Sequence, residues 1–249
     1  MRRPRHELMD DPGLDPAEHA AALRGLRRIN AVSGVVRTVA RVLRELAEPD
    51  VGQVQCRAID VACGGGDVAV GLNIQARREA GDLSAAITVD GCDVREYALT
   101  LSRRAADAAQ LGDAASFWRW DAMSGLPLVG PGGRRYDVGI CTLFLHHLET
   151  EQAVAVLRAV DEGCSRGGVV LDLRRGWWPW VCTWIGVRIL SRSRVVHHDG
   201  PASVEAGWKR KELEDAARSA GLSDFRVTRS FPLRWKLVWW KPETKQASA

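Results

Sequence analysis

The sequence has no stretch of about 18 uncharged apolar residues, so no segment is expected to span a bilayer. No apolar run follows the basic start Met1-Arg2-Arg3-Pro4-Arg5-His6-Glu7, so a secretory leader is not expected and a cytoplasmic location is. No cysteine pair has C-x-x-C spacing, and none has a histidine partner at zinc-finger distance. The six cysteines, Cys56, Cys63, Cys92, Cys141, Cys164 and Cys182, are therefore read as free thiols in a reducing compartment, with no metal site expected. No charge sign dominates. The 35 basic and 31 acidic side chains leave +4, too mild to imply nucleic acid. Repeats and low-complexity tracts are lacking. Tyrosine and phenylalanine are scarce, at two and four, against ten tryptophans gathered late in the chain.

What is present is an ordinary globular balance, 46% apolar and 27% charged over 249 residues. Residues 1–15 hold Pro4, Pro12, Gly13 and mixed charge, and read as a mobile arm. Leu23, Leu26, Ile29, Val32, Val36, Val39, Leu43 and Leu46 form one apolar helical stripe across a cap at 16–48, with a break expected near Gly34 and an end at Pro49-Asp50. Strands and helices then alternate over 55–173. Strands are expected at Cys56–Val61, Ala85–Cys92, Ala115–Trp120, Asp137–Leu143 and Gly168–Leu173, with helices between, which implies a parallel sheet covered on both faces. Residues 174–207 break the rhythm with Trp177, Trp178, Trp180 and Trp184, then Arg188, Arg192 and Arg194, and a polar loop His197-His198-Asp199-Gly200. A helix over Lys211–Ala220 and a hairpin, Phe225–Arg229 with Arg234–Trp239, fill 208–249. One α/β domain follows from this.

The stretch Ile59-Asp60-Val61-Ala62-Cys63-Gly64-Gly65-Gly66-Asp67 runs a strand into glycines and then a helix. Glycine suits a sharp turn that a ligand approaches without a Cβ in the way. Gly64-x-Gly66-x-x-Ala69 also fits a dinucleotide fingerprint. Asp67, however, stands at the helix N-terminus, where it would repel a pyrophosphate. Asp60 too favours a cationic ligand without phosphate.

Asp60-Val-Ala-Cys-Gly64-Gly65-Gly66 resembles the first motif of the class I S-adenosylmethionine-dependent methyltransferases, with Ala62 standing where that family usually has its first glycine. The resemblance continues in order. Val89-Asp90-Gly91-Cys92-Asp93-Val94 is similar to the second-strand motif, whose acid takes both ribose hydroxyls; Asp93 is the choice and Asp90 the alternative. Phe117-Trp118-Arg119-Trp120-Asp121-Ala122 is similar to the third-strand motif, which implies Asp121 on the adenine amino group and the Ala122 backbone on the ring. Tyr136–Leu143 is similar to the fourth strand, whose end at Thr142 closes over the methionine portion. Pieces such as Glu7-Leu8-Met9-Asp10, Leu145-His146-His147-Leu148 and Asp172-Leu173-Arg174-Arg175 resemble bacterial small-molecule methyltransferases of secondary metabolism. The resemblance implies a Rossmann-like, doubly wound, mostly parallel seven-stranded sheet with an N-terminal helical cap and a Trp-rich lid. It also implies S-adenosylmethionine as cofactor, held by Asp60, Ala62, Gly64, Gly66, Asp93, Val94, Asp121, Ala122 and Thr142.

A proton-accepting group for the acceptor must sit beyond the fourth and fifth strands or on the lid. That selects His146 and His147 first, then Arg174, His197, His198 and Asp199. The expected reaction is methyl transfer to oxygen or carbon of a small acceptor of aromatic or polyketide-like type. The rival readings are a nucleic-acid methyltransferase, a non-catalytic partner that keeps the fold, and a nicotinamide-dependent oxidoreductase. The tryptophan segment reads as a lid helix and a greasy acceptor wall, with a membrane-surface role disfavoured because its arginines follow the aromatics in sequence.

Overall fold

A computed structural model describes residues 7–11, 13–47, 56–79 and 87–241. Parts of the expected arm, Pro49-Asp50, and the start of the second expected strand at 85–86 lie outside them. Seven strands form one sheet: β1 (Cys56–Val61), β2 (Ile87–Asp93), β3 (Phe117–Arg119), β4 (Tyr136–Thr142), β5 (Cys164–Leu173), β6 (Phe225–Ser230) and β7 (Arg234–Trp240). Their order is β3-β2-β1-β4-β5-β7-β6. Neighbours pair in parallel except at β7, which runs antiparallel to both β5 and β6. The order reverses between β1 and β4, the place where ligands bind in doubly wound folds.

A parallel sheet must be covered on both faces, and the alternation of β1 shows how. Ile59 and Val61 join a core with α5 (Thr150–Gly163) and α8 (Arg210–Ser219), through Val156, Leu157, Val160, Leu213 and Ala217. Cys56 and Ala58 point the other way, toward α2 (Val35–Ala47), α3 (Asp67–Glu79) and α4 (Glu96–Ala108), through Leu43, Leu46, Leu72 and Leu99.

The remaining helices are α1 (Pro16–Val32), α6 (Trp177–Leu190) and α7 (Arg194–Ala206). The chain breaks between α1 and α2 at Gly34, whose φ of +64° glycine adopts without cost. That break divides the expected cap. Helix α2 covers the sheet, whereas α1 packs with the lid, in a small core of Ala22, Val187, Val195 and Val196. Two further expectations are corrected. His197-His198-Asp199-Gly200 is no loop but part of α7, because burial of Val195, Val196, Ala202 and Val204 outweighs the local Gly-Pro signal. The described part of the arm is anchored. Leu8 and Met9 donate their backbone N–H groups to Asp199 Oδ1 and Oδ2 at 2.9 and 3.0 Å, and Glu7 is buried.

Candidate active site

The glycine loop leaves the C-terminal end of β1 and is tied down on three sides. The Cys63 N–H donates to the Cys92 carbonyl (3.0 Å) and the Gly64 N–H to Asp93 Oδ2 (2.9 Å). Ser102 Oγ on α4 donates to the Gly64 carbonyl (2.7 Å). Ala62, Gly64 and Gly66 all have positive φ, at +56°, +53° and +76°. A Cβ at Gly66 would stand 2.9 Å from that of Ser102, so the loop can close on α4 only with glycine there. Above Gly64 and Gly65 nothing lies within 4 Å of a Cβ position, so the main chain is bare on its outer side.

Three acids surround this loop. Asp60 is 1% exposed, and both carboxylate oxygens lack a hydrogen-bond partner at ordinary distance. Burial pushes its pKa up to about 8; the Ala69 amide gives partial relief, and the charges of Asp93 and Asp67 add to the rise. Asp93 accepts from Gly64 and, through Oδ1, from the Arg95 N–H (2.9 Å). One amide on each oxygen leaves lone pairs on both for a further donor. Asp67 opens α3. Asp90, the alternative to Asp93, has a structural role: it is buried, ion-paired to Arg134 (2.7 Å), and accepts from the Tyr136 hydroxyl (3.0 Å) and the Ser116 N–H (2.8 Å).

At the rim, Val94 is exposed, and Asp121 is exposed and accepts the Met123 N–H at 2.8 Å. Ala122 and Thr142 are half-buried. Cys63 lies in the loop itself, but burial, with Asp60 and Asp93 adding to it, raises its thiol well above the usual range, so it is no nucleophile at neutral pH.

Beyond β4, a short 3-10 turn at Leu145–His147 sets the two expected histidines. His146 is buried, and its Nδ1 lies 2.7 Å from Oδ1 of Asp172, near the end of the adjacent strand β5. Asp172 is fully buried and accepts from the backbone N–H groups of His146 (3.2 Å) and Leu173 (2.6 Å). Burial would raise its pKa, but the His146 and His147 charges and these hydrogen bonds more than offset that and hold the carboxyl below its ordinary value. Asp172 is thus ionised and faces His146 Nδ1 as a hydrogen-bond acceptor. Facing Nε2 at 3.8 Å is Oε1 of Glu7, which also lies 3.8 Å from His147 Nδ1 and accepts from Ser203 Oγ on α7. Ligand atoms of Glu7, His146 and His147 lie within 4.8 Å of one another, near enough for a small cation, although Glu7 and His146 already hold protein partners.

Of the other candidates, Asp199 holds the Leu8 and Met9 amides beside Glu7, and the rest have partners of their own. Arg174 lies over the Trp235 ring at 6.0 Å, and Arg175 is ion-paired to Glu212. His197 Nε2 meets the Ser191 carbonyl at 2.7 Å, and His198 pairs with Asp199 at 3.0 Å. Glu7, Ser102, Asp172 and Ser203 carry the site yet were not singled out as site residues from sequence. The available signals were Glu7, Asp172 and Ser203 within short similar pieces, the last in His198-Asp199-Gly200-Pro201-x-Ser203, and contacts spanning up to 196 residues have no local signature.

No protein-family model matches the chain, and no curated protein matches it. Solved structures do. The fold is similar to magnesium protoporphyrin IX methyltransferase from Synechocystis PCC 6803 with bound SAH, at 16% identity and TM-score 0.55, covering 94% of this chain and 91% of that one. It is similar to an O-methyltransferase family 2 protein from Planctomyces limnophilus DSM 3776 in complex with apigenin, at 14% identity and TM-score 0.61, over 93% and 63%. The S-adenosylmethionine-dependent methyltransferase SibL matches at 20% identity and TM-score 0.60, over 94% and 61%. The chain thus spans less than two thirds of the latter two. These likenesses show the Rossmann-like methyltransferase fold.

Proposed function

We propose that the protein is an S-adenosylmethionine-dependent methyltransferase acting at oxygen or carbon of a small acceptor of aromatic or polyketide-like type. The observation that carries this is the bare Gly64–Gly65 backbone ringed by Asp60, Asp67 and Asp93 at the β1/β4 switch point. The carboxylates of Asp67 and Asp93 suit a cationic nucleoside and repel a pyrophosphate, which disfavours the nicotinamide reading. Buried Asp60, held mostly protonated by burial, fits a positive ligand that would stabilise its charged form. Likeness in fold to proteins with bound SAH or named for this cofactor supports the same reading.

The residues that would hold the cofactor are Asp60, Ala62, Gly64, Gly66, Asp93, Val94, Asp121, Ala122 and Thr142. When bound, the cofactor supplies an already activated methyl group on sulfur. What the chain adds is alignment, exclusion of water and a place for the acceptor's proton. We assign that place to His146 Nε2. Asp172 fixes the imidazole tautomer and would stabilise its charged form, and Glu7 closes the far side with His147 beside it.

The test is incubation with deuteromethyl-labelled S-adenosylmethionine and a panel of small phenols and polyketides, followed by mass spectrometry for a transferred labelled methyl. A labelled product is expected. His146→Gln should lower kcat by about a hundredfold or more while leaving cofactor affinity unchanged. Cofactor binding without any labelled product would favour the non-catalytic partner instead.

A further inference from the structure

Helix α6 has two unlike sides. Pro179 and Val187 are buried against the body of the protein. The opposite side presents Trp177, Trp184 and Arg188 in one row and Trp178, Ile185 and Ile189 in the next, since a helix brings residues 7 and 11 positions apart back to nearly the same angle. All six are exposed, Trp177 and Ile189 at 76% each. Five of the twelve exposed large apolar side chains among the described residues therefore share one 14-residue helix. Outward-facing apolar groups in such a contiguous stripe mark a contact surface.

Along the chain, the charge on this segment has one sign; across from it, on α7, Glu205 accepts from the Trp180 indole on the helix's inner side. No aspartate or glutamate occurs between Arg174 and His198, while Arg188, Arg192 and Arg194 are all exposed at the C-terminal end of α6 and the start of α7. The arginines do not merely trail the aromatics. The Arg188 guanidinium lies 3.8 Å from the centre of the Trp184 ring, within the same stripe. Tryptophan and arginine, with an apolar body and a polar tip each, are the side chains that settle at the headgroup boundary. A helix of 14 residues is too short to cross the hydrocarbon core but can lie flat in the interface. Beside its first turn is a cavity of about 300 Å³ lined by Arg175, Gly176, Trp177, Trp180, Val204 and Glu205.

We propose that the exposed face of α6, with Arg188, Arg192 and Arg194, docks the protein on an anionic lipid bilayer. The apolar stripe sits at the boundary between headgroups and acyl chains, and the arginines lie against the lipid phosphates. This stands apart from methyl transfer, because its test reads lipid partition and not turnover.

The experiment is flotation of the full chain with vesicles of phosphatidylcholine alone or mixed with phosphatidylglycerol. Tryptophan quenching by brominated lipid is measured alongside. Binding to the mixed vesicles is expected to exceed binding to the neutral ones on the order of a hundredfold, about fivefold for each of three arginines. Arg188→Gln/Arg192→Gln/Arg194→Gln should remove that preference. Trp178→Ser/Ile185→Ser/Ile189→Ser should abolish both flotation and quenching without moving the melting temperature. Equal partition of wild type and the serine variant, or no partition of wild type at all, overturns the proposal. So does a dimer in sedimentation velocity that the serine variant dissolves without any wild-type flotation, since the face would then belong to a second copy.

Discussion

Asp60 is a carboxyl held where a carboxylate is costly. Its folded pKa of about 8 lies above the value near 3.9 of an unfolded chain, so between those values the folded state binds the extra proton and stability falls as pH rises. The cost is absent below about pH 4 and complete above about pH 8. Asp60→Asn should therefore raise the melting temperature of the ligand-free protein by several degrees or more at pH 8.5 and leave it unchanged near pH 4. The same change should weaken S-adenosylmethionine binding at least about tenfold. Calorimetric melts and titrations check both, and equal melts at pH 8.5 would contradict the burial argument. Ala62 makes a smaller point. Its φ of +56° costs an L-residue about 1–2 kcal/mol, while glycine loses about 0.4–1 kcal/mol through its freer unfolded chain. Ala62→Gly is thus expected to stabilise by roughly 0.5 kcal/mol in denaturant melts; a clear loss of stability would show that the turn is not strained.

At the scale of elements, the segment at Glu7–Asp10 is held across the molecule by α7. Asp199 accepts from the Leu8 and Met9 amides, and the Ser203 hydroxyl donates to Glu7, whose carboxylate faces His146. Asp199→Ala should cost about 1–3 kcal/mol and raise amide hydrogen exchange at Leu8 and Met9, read by exchange mass spectrometry; unchanged protection there would mean that other contacts anchor the segment. This arrangement also shows what sequence could not reveal. Residues 1–15 read as mobile because Pro4, Pro12 and Gly13 are local signals, whereas the anchor of Leu8 and Met9 lies about 190 residues away. His197–Gly200, within α7, was read as a loop for the same reason. Strand β1, by contrast, begins and ends as its apolar run predicts, and the Gly34 break and the β6–β7 hairpin were legible from breaker residues and alternation. Periodicity reports which side of an element is apolar. It does not report that α1 turns to the lid while α2 turns to the sheet.

For the molecule as a whole, the strand order puts acids from three segments around one stretch of backbone. Motif order along the chain indicated that meeting, and the parallel register of β1 with β2 and β4 accounts for it. The choice between Asp90 and Asp93 needed the structure, because only packing shows Asp90 committed to Arg134 and Tyr136. The His146–Asp172 pair likewise arises from β4 lying beside β5, a neighbour relation that two separate motifs cannot state. Under the proposed function this ring of acids receives the adenosine and the positive end of S-adenosylmethionine, with Asp93 on the ribose. Isothermal titration of the wild-type protein and of Asp93→Ala with S-adenosylhomocysteine tests it most directly. Measurable binding to the wild type is expected, with affinity at least about tenfold weaker in the variant, the loss of two charged hydrogen bonds. No heat with the wild type, or equal affinity for both proteins, would contradict it.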